Sequence, residues 1–287
     1  MLGLDAAVVR PIFRKEMSTW LSNPTGYVFL TLFIATTGAA AFLQSGFFQR
    51  NLADLALLNQ LMPAVLMLFV PAITMNVWSE ERRTGTEELL LTLPVRDTEV
   101  IVGKYLGALG VYTVALGFSL AHLGVLAYLG SPDVGLMFAT YLGYWLMGVL
   151  FVALGLLGSM FSSNATVAFI LGALACAGLT FAGTSPWASG IVGTALIAGL
   201  AALTWLVVKG DARGVGWAIG GATILGLVLW LPDLWSGFED TFAVLGVGQY
   251  FYNFGQGIIR LTDVAYFVGG AVVVLYLCSF LVGRRHW

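Results

Sequence analysis

The sequence predicts an all-α, polytopic transmembrane helical bundle of about eight spans, with both termini on the cytoplasmic side. Three observations carry that expectation. The chain of 287 residues is 59% hydrophobic and only 10% charged, with a mean hydropathy of +0.90; a soluble chain carries about a quarter charged residues. Its apolar runs are continuous, whereas a membrane β-barrel needs short segments of alternating hydrophobicity. Its basic residues fall on one side of the expected spans.

About 20 apolar residues cross a bilayer core. Candidate spans are Gly26–Gly46, Leu61–Trp78, Val100–Leu129, Leu136–Phe161, Ala165–Gly183, Gly190–Val208, Val215–Leu231 and Val264–Val282. The third and fourth are long enough to tilt or to add a turn in the interface. With a cytoplasmic N-terminus, the inner segments hold Arg10, Arg14, Lys15, Arg82, Arg83, Arg96, Lys104, Lys209, Arg213, Arg284 and Arg285, and the outer ones hold only Arg50 and Arg260. Trp20, Tyr27, Trp78, Tyr128, Trp187, Trp230 and Trp235 fall near span ends, where amphipathic rings prefer to sit. A cleavable signal peptide is not expected, because no cleavage site follows the first apolar run.

Ahead of the first span, residues 11–21 have amphipathic helical spacing. Phe13, Met17, Trp20 and Leu21 share a face, while Arg14, Lys15, Ser18 and Thr19 point elsewhere. That pattern suits a helix lying in the cytoplasmic interface, and a frayed tail is the plainer reading. Asn23-Pro24 ends it.

Most of the remaining charge is crowded between the second and third spans, in residues 80–94 and just beyond. Glu80, Glu81, Arg82, Arg83, Glu87, Glu88, Arg96, Asp97, Glu99 and Lys104 lie there. Thr84-Gly85-Thr86-Glu87 has capping-box spacing. Glu87 and Glu88 would then complement the dipole of a helix over 86–93, closed by Pro94. The next helix is expected to restart near Asp97. Leu89, Leu90, Leu91 and Leu93 are too apolar for a solvated loop. The residues alone leave two readings: a loop helix packed on its own spans, or a docking surface for a cytoplasmic protein.

Other features are weaker. Residues 190–231 form a helical pair. Residues 232–263 form the largest outer segment, rich in aromatics, either an interfacial lid or a gate. Gly103-x-x-x-Gly107 and Gly216-x-x-x-Gly220 suit close helix approach. Cys176 and Cys278 sit in apolar runs and read as small buried residues. His122 is a mid-span histidine, either structural or part of a proton relay. It lies far from His286, with no cluster of metal-ligating residues, so no metal site is expected. Ser119, Ser159 and Ser185 lack the Gly-x-Ser-x-Gly setting or an acid partner that an intramembrane enzyme would need. No G-x-x-x-x-G-K-[ST] occurs, and no basic tract suggests nucleic acid.

The stretch "SEERRTGTEELLLTLPVRDTEVIVGKYLG" resembles the signature region of ABC-2 type transporter permeases. Glu81, Arg82, Gly85, Thr86, Glu88, Leu89, Leu90, Pro94, Gly103 and Lys104 carry the resemblance. "FRKEMSTWLSNPTGYVF" is similar to that family's elbow helix, and "FGQGIIRLTDVAYFVGGAVVVLYLCSFLVGRRHW" resembles its GldF-like branch. The resemblance covers roughly the first 185 residues and the last 40. Most of the family has six spans, so residues 190–231 read as an inserted pair in an ABC-2/type V exporter-like core.

The resemblance implies a permease subunit of the bacterial inner membrane, moved by a separate cytoplasmic ATPase that binds ATP and Mg, with no cofactor in this chain. Residues 80–94 would be the coupling helix region. Glu80, Glu81, Arg82, Arg83, Gly85, Thr86, Glu87 and Glu88 would contact the ATPase, and Phe13, Arg14, Lys15, Met17 and Trp20 would belong to the elbow. Phe251, Phe254, Gly257 and Asp263 are outer-gate candidates. Expected partners are that ATPase, a second permease half (a second copy or a GldG-like subunit) and membrane lipids. The output is export of a lipid-like or glycan substrate, or mechanical action on an extracytoplasmic partner without transport. An intramembrane enzyme is the third reading.

Overall fold

The computed structural model describes residues 5–43, 55–87, 95–209, 212–230 and 237–283. Among them every regular element is a helix: α1 (Ala6–Leu21), α2 (Pro24–Phe42), α3 (Ala56–Thr74), α4 (Asn76–Thr84), α5 (Asp97–Ser119), α6 (Ala121–Leu129), α7 (Val134–Ser159), α8 (Ala165–Phe181), α9 (Pro186–Lys209), α10 (Ala212–Trp230), α11 (Phe238–Ala243), α12 (Val247–Gly255) and α13 (Leu261–Gly283). Six helices among the described residues are long and apolar enough to cross a membrane, and Ala165–Phe181 and Gly214–Leu229 are shorter apolar helices. Helices satisfy their own backbone groups, which is what a chain this apolar requires in lipid.

The chain divides into two compact units. One comprises Met1–Cys176 with Phe251–Trp287, the other Ala177–Tyr250. In the first, α7 is the central helix. Three tyrosine hydroxyls link it to α5: Tyr105 donates to the Val149 carbonyl at 2.9 Å, Tyr112 to that of Tyr144 at 2.7 Å, and Tyr141 to that of Ser119 at 2.8 Å. Glycines let neighbours close on α7. A Cβ on Gly158 would stand 2.7 Å from the backbone nitrogen of Gly172 on α8, and one on Gly155 would collide with Thr74 of α3. Packing of this kind holds helices together where no hydrophobic effect acts between them. Around the bundle, Val28, Leu32, Leu68, Phe118, Val272, Val273 and Tyr276 are exposed, as lipid-facing residues should be.

Two paired helices are longer than a bilayer is thick. Met75 keeps helical angles between α3 and α4, and Leu120 does so between α5 and α6. Ala56–Thr84 thus runs 29 residues and Asp97–Leu129 runs 33. At about 1.5 Å per residue these are roughly 43 and 50 Å, against a core of about 30 Å. The charged residues fall at one end of each, where α4 and the start of α5 lie together as the stalk of the bundle.

In the second unit α9 and α10 pack along each other. Trp205 lies on Gly214, Thr194 lies on Gly226, and Phe238 and Phe242 of α11 close on Gly193. Nothing lies within 4 Å of a Cβ placed on Gly216 or Gly220, so among the described residues that glycine pair carries no helix of this chain.

Candidate functional site

The stalk is where the charged strip, the amphipathic N-terminal segment and the first glycine pair converge. Helix α1 starts at Ala6, five residues before the expected boundary, capped by Asp5, whose side chain accepts from the Ala7 N–H at 2.8 Å. It packs lengthwise along α5, and its register rises with α5. The Asp5 N–H donates to Glu99 at 3.0 Å. Ile12 then lies on Gly103, Glu16 on Gly107, and Met17 with Phe13 on Gly110. The face that the amphipathic pattern points to the interface thus packs in part on α5, through Phe13 and Met17. The glycines of α5 draw it alongside the stalk.

Between α1, α4 and α5 sits a buried charge lattice. Lys104 is fully buried. Its Nζ lies 2.7 Å from Glu81 Oε2 and 3.5 Å from Glu16 Oε1. It also donates to the Val77 carbonyl at 2.8 Å and stands 4.7 Å above the Trp78 ring. Glu81 accepts a second cation, Lys15, at 2.6 Å. Two lysines and two carboxylates thus tie three helices together with no net charge. Burial works against charge on Lys15, but the Glu81 hydrogen bond and the charges of Glu81 and Glu16 outweigh it and hold its pKa above the ordinary lysine value. Glu99, also buried, accepts the Arg96 N–H at 3.2 Å as well as that of Asp5. One carboxylate therefore caps the start of α5 and anchors the start of α1.

The structure separates the expected ATPase-contact residues into three roles. Glu81 faces inward, into the lattice. Glu80 and Arg83 lie exposed and pair with each other through contacts of 2.6 and 3.0 Å. Arg82 reaches across the following turn to Glu87 at 2.9 Å. Gly85 makes that turn with φ 73, a left-handed conformation, and nothing lies within 4 Å of its missing Cβ. Thr84 is the last residue of α4, and its hydroxyl donates back to the Glu80 carbonyl at 2.9 Å. It does not cap a new helix, as its spacing to Glu87 suggested. No residue from Met75 to Thr84 breaks the helix coming from α3, so it continues until glycine supplies a left-handed stop. Thr86 is exposed beside Thr84, their hydroxyls 3.0 Å apart. Glu88, the leucines after it and Pro94 lie outside the described residues.

The elbow residues divide similarly. Phe13 and Met17 pack on α5, Lys15 joins the lattice, and Trp20 meets Phe29 of α2 edge-on at 5.5 Å. Arg14 is exposed. Sequence reasoning missed Glu16, and it placed Lys104 in a span without a partner. Both carried a signal. Glu16 is the one acid among the apolar residues of α1's inner face, and Lys104 interrupts a glycine-rich apolar run. An isolated acid and an isolated base in apolar surroundings are complementary.

The four outer-gate candidates also come together. Phe251 stacks on Tyr144 of α7 at 5.5 Å, and Phe254 packs against Gly143 and, 6.3 Å away, Phe267. Gly257 turns the chain with φ 77. Buried Asp263, in the first turn of α13, accepts from the Asn253 amide at 2.8 Å. Tyr144 donates to Asn59 of α3, so this cluster binds the central helix to its neighbours at the end opposite the stalk.

His122 is buried on α6, edge-on to Phe42 at 5.8 Å and close to Gly38 of α2. Among the described residues no group of three or more His, Cys, Asp or Glu side chains could hold a metal ion.

Residues 36–186 match the family model described as "ABC-2 family transporter protein". The match ends where α9 begins. Two curated relatives are similar over about half of the chain. The probable ABC transporter permease protein NosY of Stutzerimonas stutzeri is 31% identical over 167 residues, covering 54% of this chain and 57% of that protein. Its namesake from Pseudomonas aeruginosa is 31% identical over 159 residues, covering 51% and 58%. The matched part therefore spans less than two thirds of either relative. With a family match over more than half its length and a bundle of apolar membrane-crossing helices, the chain belongs to the ABC-2 transporter family and is a multi-pass protein of the bacterial inner membrane.

Proposed function

We propose that this chain is the membrane subunit of an ATP-driven transporter and that its stalk receives motion from a separate cytoplasmic ATPase carrying ATP and Mg. The observation that carries the reading is the division of the charged strip. Its inward half, Glu81 with Lys104, Lys15 and Glu16, fixes the stalk as one rigid piece. Its outward half, Glu80, Arg83, Gly85 and Thr86, presents a polar tip at the end of two helices that run on into the bundle. Arg82 and Glu87 hold the turn between them. A push on that tip moves α3 through α4, and moves α5 and α1 through the lattice. The cluster around Tyr144, Phe251 and Asp263 then receives the movement at the far end of α7.

A second permease half, either another copy or a GldG-like subunit, completes the unit in this reading. The output is export of a lipid-like or glycan substrate. Mechanical action on an extracytoplasmic partner, without transport, is the second reading. It is favoured by the aromatic packing that links α7 directly to α12 and α13.

Affinity purification in mild detergent tests the proposal. Wild type should bring down an ATPase containing a P-loop, and Glu80→Lys/Arg83→Glu should lose it while remaining folded. An ATPase that stays bound to the variant places its seat elsewhere on the chain. If wild type captures none from membranes that express the neighbouring subunits, the coupling reading fails.

A further inference from the structure

A groove of about 410 Å³ runs along one flank of the contact between α1 and α5. Its walls are Ala6, Val9 and Phe13 on one side and Leu106, Leu109 and Thr113 on the other, and Arg10 forms part of its lining. Apart from Arg10 the lining offers almost no polar surface. The Thr113 hydroxyl is already engaged, donating to the Leu109 carbonyl at 2.7 Å and accepting from Trp145 Nε1 at 3.0 Å.

Two further facts bear on what fills it. Arg10 and Arg14 are exposed one helical turn apart on α1, and among the described residues neither pairs with a carboxylate. The groove also lies at the depth where the stalk enters the bundle. On α5 its lining begins two residues past Lys104, at Leu106, and ends one residue past Tyr112, which donates to the carbonyl of Tyr144 in the bundle core. An apolar slot at that depth, with an uncommitted guanidinium at its basic end, matches one kind of molecule. It is an amphiphile with an acyl chain for the slot and a phosphate for the arginine.

We propose that this groove binds one anionic phospholipid of the cytoplasmic leaflet, its acyl chain between α1 and α5 and its phosphate on Arg10, with Arg14 one turn away. The proposal rests on the membrane reading and the elbow geometry and is independent of where an ATPase docks. Bound there, the lipid lies against the helix that carries Lys15 and Glu16, so its occupancy bears on how firmly α1 is held to the stalk.

The test is native mass spectrometry of the detergent-purified subunit, titrated with phosphatidylglycerol or phosphatidylcholine of identical acyl chains. Wild type should retain one phosphatidylglycerol with about fivefold preference, the scale of one basic residue acting on an anionic lipid. Arg10→Gln should bring the two lipids to equal retention. Ala6→Trp, an exposed position that fills the slot, should lower retention of both. Equal retention by wild type overturns the proposal, as does a preference that survives Arg10→Gln. If Ala6→Trp leaves retention unchanged while Arg10→Gln removes the preference, the headgroup binds without the groove, and the proposal is again wrong. Melting curves of both variants that match wild type exclude misfolding as the cause.

Discussion

Replacing Lys104 by methionine should cost more than any other single change in the stalk. The side chain has no exposure, and its ammonium compensates two carboxylates, Glu81 at 2.7 Å and Glu16 at 3.5 Å. Methionine fills similar space, so little of the effect is cavity. What remains is two buried acids facing a single cation, Lys15, whose side chain is 59% exposed. Removing one partner of a buried ion pair costs about 3–5 kcal/mol, and the loss of the Val77 carbonyl's partner adds to it. Charge arithmetic predicts the remedy. Lys104→Met/Glu81→Gln removes one charge of each sign and should recover a large part of the loss, with a coupling of about 0.5–3 kcal/mol in the double-mutant cycle. The assay is denaturant unfolding in detergent of wild type, both single variants and the double variant. If Lys104→Met unfolds like wild type, or if Glu81→Gln adds to its loss instead of offsetting it, the lattice does not hold the stalk together.

Three further outcomes follow from named contacts. Gly107→Ala places a methyl 2.5 Å from Glu16 Cβ; overpacking of this kind costs about 1–3 kcal/mol, and amide exchange in residues 6–21 should accelerate, whereas unchanged exchange would mean that α1 is not seated on α5. Asp263→Ala deprives the Asn253 amide of its acceptor and should cost about 1–3 kcal/mol, while Asp263→Asn, which keeps an acceptor, should cost less; equal losses would deny that hydrogen bond its role. Because the folded-state pKa of Lys15 is raised, its contribution is complete below the ordinary lysine value and is lost only as pH rises through the raised one. The stability difference between wild type and Lys15→Met, about 0.2–1 kcal/mol for so exposed a side chain, should therefore stay constant from about pH 6 to 9, and a difference that vanishes within that window would show a lysine whose charge the lattice does not hold.

The bundle was legible because hydropathy is a local property: each apolar run reports its own need for lipid or protein cover. The stalk was only half legible. The density of charge between the second and third spans marked the place, but capping spacing at Thr84 could not show that the helix from α3 would continue unbroken to Gly85. A helix stops where its backbone geometry changes, and the threonine that resembles an N-cap serves equally well as a back-bonded last residue. Glu81 shows the same limit. Its neighbours in sequence suggest an outward-facing cluster, yet helical phase turns it about 100° from Glu80, inward to a lysine more than 20 residues away. The amphipathic spacing of residues 11–21 marks a contact face and points to the membrane interface as its cover, while in the structure Ile12, Phe13, Glu16 and Met17 pack on α5. Only the glycine register of α5, which the sequence shows without naming its partner, determines that the cover is a helix of the same chain.

The claim that matters most is that the turn at Gly85 is the seat of a separate ATPase. Photo-crosslinking in native membranes, with a probe residue placed in turn at Arg83, Thr86, Glu81 and Glu239, tests it most directly. The account predicts adducts to a P-loop ATPase from Arg83 and Thr86 and none from Glu81, which faces the lattice, or from Glu239, beyond the last span of the inserted pair. Adducts confined to Glu239, or their absence from Arg83 and Thr86 while the ATPase is present, would contradict it.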